Sequence, residues 1–126
     1  MGFAVTDPTG SMSLPLRTEE VAGAGEAVKV TVGVCAETGA ELVVVGMPLN
    51  MDGTEGPVAK RVRAFIVSLA DALEIPVDEW DERLSSSMVE RVLLDADMSR
   101  QKRKKVRDKL AAQVILQGYL DSRLGD

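Results

Sequence analysis

The chain has no histidine, one cysteine and only four aromatic residues among 126. Without histidine there is no imidazole base, no Ser-His-Asp triad and no histidine metal site. Any metal must then be a hard cation on oxygen ligands, magnesium or manganese rather than zinc. The single Cys35 excludes an internal disulfide and a cysteine-cluster zinc site. It lies among valines, as a buried structural thiol does. No apolar run approaches the roughly 20 residues that span a bilayer. The N-terminus has no basic-then-apolar leader, so a cytoplasmic protein without a membrane partner is expected. No Gly-Lys-Ser/Thr ending follows Gly46 to Gly53, so this is no phosphate-binding P-loop. Ser85 to Ser87 have no basic partner of the usual kind, which argues against a serine hydrolase.

What is present is the composition of an ordinary soluble protein, 45% hydrophobic and 28% charged, and it predicts one domain over 1–126. The most informative stretch runs from Glu41 to Gly53. The apolar, β-branched Leu42 to Val45 suits a strand buried on both faces, stopped by Gly46 and Pro48. Asn50, Asp52 and Gly53 bring turn chemistry. In open α/β sheets ligands bind beyond the carboxyl ends of strands, so the loop Met47 to Thr54 is expected to line a site. The alternative is a plain strand-to-helix turn.

Met1 to Thr6 reads as a strand, Asp7 to Gly10 as a turn and Ser11 to Leu16 as a second strand closing a hairpin. Thr18 to Gly25 looks loop-like. Val28 to Thr38 alternates as a strand would, yet Gly39 is a plausible helix cap and parallel strands need a crossover, so a helix is expected. Pro57 opens an amphipathic helix with Val58, Val62, Phe65, Ile66, Leu69 and Leu73 on one face. Pro76 closes it, and Val77 to Asp81 forms an edge strand. Ser87 with Glu90 fits a capping box for a helix to about Ala96. Met98 to Lys105 reads as a polar loop before a last helix from about Lys104 to Ser122.

Three constellations can carry chemistry. Asp81 and Glu82 stand together at a strand end, opposite a turn bearing Asp52, where they could hold a divalent ion. Equally, they could be a charged turn whose carboxylates favour a helix N-terminus. Asp108 lies in line with Ala112, Ile115 and Tyr119 on the last helix, and a carboxylate on a partly apolar face is a functional candidate. The plainer account is an ion pair with Lys104, Lys105 or Arg107. Finally, seven of the ten residues from Arg100 to Lys109 are basic, in a chain of net charge −5. A basic stretch beside carboxylates suits a metal-dependent phosphodiesterase, or it is a solvated face. Only Trp80 and Tyr119 are near enough in sequence to stack on bases, so base-specific readout is not expected.

Taken together, Val44 to Thr54, Trp80 to Ser85, Lys105 to Ala112 and Ile115 to Leu120 resemble the YqgF/RuvX family in order, spacing and wording. These are pre-16S rRNA nucleases, also called Holliday-junction-resolvase-like proteins. The resemblance runs from Met1 to about Leu124. It implies a ribonuclease-H-like fold, a five-stranded mixed sheet flanked by helices, and makes Val28 to Thr38 a crossover helix. It implies metal-dependent phosphodiester hydrolysis with Mg²⁺ or Mn²⁺, acting on rRNA precursor in maturation of the 16S 5′ end. Glu82 and Asp108 would be metal ligands, with Asp81 as alternate. Asn50 and Asp52 would shape the site loop. Arg83 with Arg100, Lys102, Arg103, Lys104 and Lys105 would hold phosphate. Two alternatives are a non-catalytic nucleic-acid or pre-ribosome binder and a resolvase of branched DNA.

The family pattern also opens with a strand carrying Asp-x-Gly, and Met1 falls where the family's second strand begins. The expectation is therefore that Met1 is internal to a longer reading frame. Without the central strand, Gly2 to Thr6 and Leu42 to Val45 would flank a gap of about two strand spacings, near 10 Å.

Overall fold

The computed structural model describes residues 1–84 and 100–124, except for the side chains of Leu84, of 100–107, of Lys109 and of Leu124. The expected helix from Ser87 to Ala96 lies outside them. The described chain is mixed α/β, with four strands and three helices. It divides into two compact units, Met1–Glu19 with the described residues from Arg83 onward, and Glu20–Glu82.

In the first unit β1 (Gly2–Thr6) pairs antiparallel with β2 (Ser13–Thr18). The second strand starts at Ser13, not at the expected Ser11. The Asp7 carboxylate accepts the Ser11 and Met12 amides at 3.1 and 3.2 Å, which keeps those residues in the turn. The register slips between Phe3, opposite Arg17, and Ala4, opposite Pro15. Proline has no N–H to give to a ladder, and bulges are where sheets tolerate it. Helix α3 (Arg100–Leu124) packs on both strands. Gln117 and Gln113 bind the backbone of β2 through their amides. Ser13 N–H donates to Gln117 Oε1 at 2.9 Å, and Gln113 Nε2 donates to the Ser13 carbonyl at 3.2 Å. Ser13, buried, also donates its hydroxyl to the Gln113 carbonyl. Tyr119 is buried in this unit, with the Arg123 guanidinium 4.9 Å above its ring.

Helix α3 begins at Arg100, not at about Lys104. The expected polar loop is helical from Arg100 on, because arginine, lysine and glutamine are good helix formers even where no apolar period announces a helix.

The second unit holds α1 (Ala24–Thr38), β3 (Val43–Met47), α2 (Pro57–Ala72) and β4 (Val77–Asp81). The segment with strand-like alternation is indeed helical, and the helix takes in Ala24 and Gly25, which read as loop. Its threonines fit because their hydroxyls bond back one turn, Thr31 to the Ala27 carbonyl and Thr38 to that of Val34, both at 2.8 Å. Gly39 caps the helix with φ 67°, a left-handed conformation suited to glycine. Burial raises the pKa of the half-buried Cys35 thiol on this helix. Strand β3 continues through Gly46 to Met47 and pairs in parallel with β4, α2 being the crossover. Val43 to Val45 are half-buried, not buried on both faces, since each strand of the pair has one strand partner among the described residues. Pro57 opens α2 as expected. Its inward face uses Ala59 in place of Val58, which is 52% exposed, while Leu69 is fully buried. No helix among the described residues is long and apolar enough to cross a membrane.

Candidate active site

The two parallel strands of the second unit end at one edge. Met47 stands opposite Asp81, the last residues of β3 and β4. From that edge the chain leaves twice, through the loop 48–56 and through the single 3₁₀ turn Glu82–Leu84. Asn50, Asp52 and Glu82 therefore follow the carboxyl ends of strands, and Asp81 is the last residue of one, as expected. Met47, 1% exposed, anchors the edge.

Asp81 and Glu82 are half-buried, and Arg83 beside them is exposed. Burial, and then the negative charge of Asp81, push the Glu82 carboxyl above its ordinary pKa. The chain thus sets two carboxylates side by side at the strand end, both partly stripped of water. The oxygen donors suit a hard divalent ion. Among the described residues, no three acidic, histidine or cysteine side chains gather closely enough to hold a metal by themselves.

The loop after β3 is tightly organised. Asn50 N–H donates to the Thr54 carbonyl at 2.9 Å, and Gly53 N–H to the Asn50 carbonyl at 2.8 Å. Thr54 donates its amide and its hydroxyl to Asp52 Oδ1, at 3.0 and 2.6 Å. Asn50 Nδ2 reaches Thr54 Oγ1 at 3.0 Å. Gly53 sits at φ 86°, which a side chain would strain. The Asn50 carboxamide also lies against Gly56, where a Cβ would come within 3.3 Å of Oδ1. Asn50 and Asp52 thus bond within the loop they were expected to shape. Between them, Met51 is 91% exposed.

Sequence reasoning missed Arg63. From α2 its guanidinium reaches Glu55 at the end of the loop (Nε to Oε1, 3.0 Å) and Glu79 on β4 (Nη1 to Oε2, 2.8 Å). These bonds hold it protonated well above the ordinary arginine range. Arginine on α2 and acid on an exposed strand position was the available signal, but nothing in the spacing marks it.

In the first unit, Asp108 is half-buried on α3, with Oδ2 4.0 Å from the Met1 ammonium. Ala112 and Ile115 on its line are half-buried and Tyr119 is buried, so the partly apolar face is real. The side chains of Lys104, Lys105 and Arg107, its expected partners, lie outside the described residues. So do those of Arg100, Lys102 and Arg103, whose backbone forms the first turns of α3.

Comparison with known proteins adds the family. A family model described as "RuvX: Holliday junction resolvase" matches residues 1–122. A protein of Syntrophomonas wolfei named "Putative pre-16S rRNA nuclease" is 46% identical over 121 residues, 96% of this chain and 86% of its own length. One of Symbiobacterium thermophilum with the same name is 62% identical over 80 residues, 64% of this chain and 56% of its own. A third so named, from Desulforamulus reducens, is 43% identical over 122 residues, covering 97% and 89%. With a match over nearly all its residues, to the family model and to relatives alike, this chain belongs to the RuvX family.

Proposed function

We propose that the chain is a nuclease of rRNA processing that hydrolyses phosphodiester bonds with a divalent metal, Mg²⁺ or Mn²⁺. The observation that carries this reading is the half-buried Asp81–Glu82 pair at the carboxyl edge of β3 and β4, with the Glu82 pKa raised, in a RuvX-family chain. Relatives named for pre-16S rRNA cleavage point to the substrate.

In this reading, as the family resemblance implies, Glu82 and Asp108 would be metal ligands, with Asp81 as alternate. Held there, a divalent ion would acidify a water and offset charge at the phosphate. Arg83, Arg100, Lys102, Arg103, Lys104 and Lys105 grip the nucleic-acid backbone. The loop around Asn50 and Asp52 gives the site a fixed wall.

The test is cleavage of a 16S rRNA precursor fragment by wild type, Glu82→Gln and Asp108→Asn, with Mg²⁺ or Mn²⁺ and with chelator. A metal clamp is worth several kcal/mol at the transition state, so each variant should lose about a hundredfold or more. Wild-type turnover by Asp108→Asn would remove that residue from the assignment. The family description favours a second substrate, branched DNA, so a four-way junction is the companion substrate. If neither is cut and RNA binding falls steeply with salt, the chain is a binder.

A further inference from the structure

Met51 is the most exposed large apolar side chain among the described residues, at 91%. Met12, Leu14, Leu42, Val58 and Val67 are also exposed, but none lies in the loop leaving the carboxyl end of β3. A single exposed apolar residue is ordinary. Here, however, the turn beneath it is locked. Asn50 and Asp52, on either side of Met51, both bond to Thr54, and Gly53 closes the turn at φ 86°. The backbone on both sides of Met51 is thereby fixed. The chain also has no exposed aromatic side chain for a base to stack on. Its four aromatics, Phe3, Phe65, Trp80 and Tyr119, are all half-buried or buried.

We propose that Met51, in the loop leaving the sheet edge where the acidic pair stands, is a substrate-contacting residue whose thioether packs on the face of an unpaired base. The occupant rests on the nucleic-acid reading above. The chemistry is general: thioethers make favourable contacts with aromatic rings, and apolar side chains, methionine among them, serve as wedges against unstacked bases. Because a contact with the ring face reads no base edge, it should tolerate any base.

The probe is a single-stranded RNA oligonucleotide carrying 2-aminopurine, with a blunt RNA duplex as control, titrated into wild type, Met51→Ala, Met51→Leu and Val67→Ala. Val67 is exposed on α2, away from the loop. Met51→Ala should weaken single-strand binding about two- to tenfold, as expected for a sulfur–aromatic contact. Its melting temperature and duplex affinity should not change. Met51→Leu, which keeps the apolar contact without the sulfur, should fall between wild type and Met51→Ala, and Val67→Ala should keep full affinity. Equal single-strand binding by wild type and Met51→Ala would overturn the inference and leave the nuclease reading intact. Equal loss on single strand and duplex would also overturn it, since the contact would not be to an unpaired base. A wild type that binds neither nucleic acid would overturn both.

Discussion

The hairpin turn between β1 and β2 and the loop after β3 each hang on one aspartate, one threonine and one glycine. In the first, Asp7 accepts from the Ser11 and Met12 amides and from Thr9 Oγ1, and Gly10 takes φ 72°. In the second, Asp52 accepts from the amide and hydroxyl of Thr54, and Gly53 takes φ 86°. The tips differ. The hairpin turn exposes Pro8, Thr9 and Gly10 at its tip and Met12, 59% exposed, at its end, while the loop carries Met51, 91% exposed, between its two turn-forming residues. The hairpin turn only reverses a chain. The loop uses the same device to fix a surface at a strand end. Turn chemistry alone therefore does not announce a site; the two turns differ in their place on the sheet and in the side chain they present.

The glycines break the comparison most strongly. Gly10→Ala and Gly53→Ala each force a left-handed alanine, costing about 1–2 kcal/mol. A Cβ at Gly10 meets nothing within 4 Å, so its cost is the backbone alone. Thermal unfolding should show both losses. Nucleic-acid cleavage should fall further with Gly53→Ala and stay unchanged per folded molecule with Gly10→Ala.

The aspartates come next. The Thr9 hydroxyl and then the Met12 amide lower the Asp7 pKa below its ordinary 3.8. A depressed folded-state pKa contributes stability above the unfolded value, and that stability is lost as pH falls through the folded one. Wild type should therefore melt higher than Asp7→Asn by a margin that is constant near neutrality and closes below about pH 3.8. Asp52→Asn should lower cleavage as well as melting temperature. Melting curves from neutral to acid pH, with activity at neutral pH, check both.

The threonines sharpen the comparison at its finest grain. Thr54→Val removes the hydroxyl bonds to Asp52 and Asn50 and should cost about 0.5 kcal/mol, the low end for one exposed bond. Thr9→Val should move stability the same way. Only Thr54→Val should also weaken single-strand binding, by loosening the turn under Met51.

Much of this was legible in the sequence where local signals agree. Val77 to Asp81 is β4 to the residue because Pro76 marks its start. Pro57 opens α2, and Gly39 closes α1. The acidic pair at the end of β4 could be named from the strand alone. Other features needed three dimensions. The Asp7 side chain, by capturing two amides, moves the start of β2. The basic run is helical although no apolar period reveals it. Val58 and Ala59 exchange places because α2 turns its small residue inward. Met51 would be read as core by type, and only its place between two turn-forming residues hints otherwise. Arg63 joins Glu55 and Glu79 across 8 and 16 positions of sequence, a pairing set by tertiary contact.

The Ser13–Gln117 bond spans 104 positions, while the second unit is one contiguous segment. The two units must therefore complete at different moments of synthesis. Once Glu82 has emerged, α1, α2 and the parallel pair are all present. The β1–β2 hairpin must wait for α3, and a lone two-stranded hairpin is marginal in water. During that interval its uncovered face, with Met12 and Leu14 beside it, is open to chaperones or to neighbouring nascent chains. The timing of translation thus matters more to the hairpin than to the contiguous second unit.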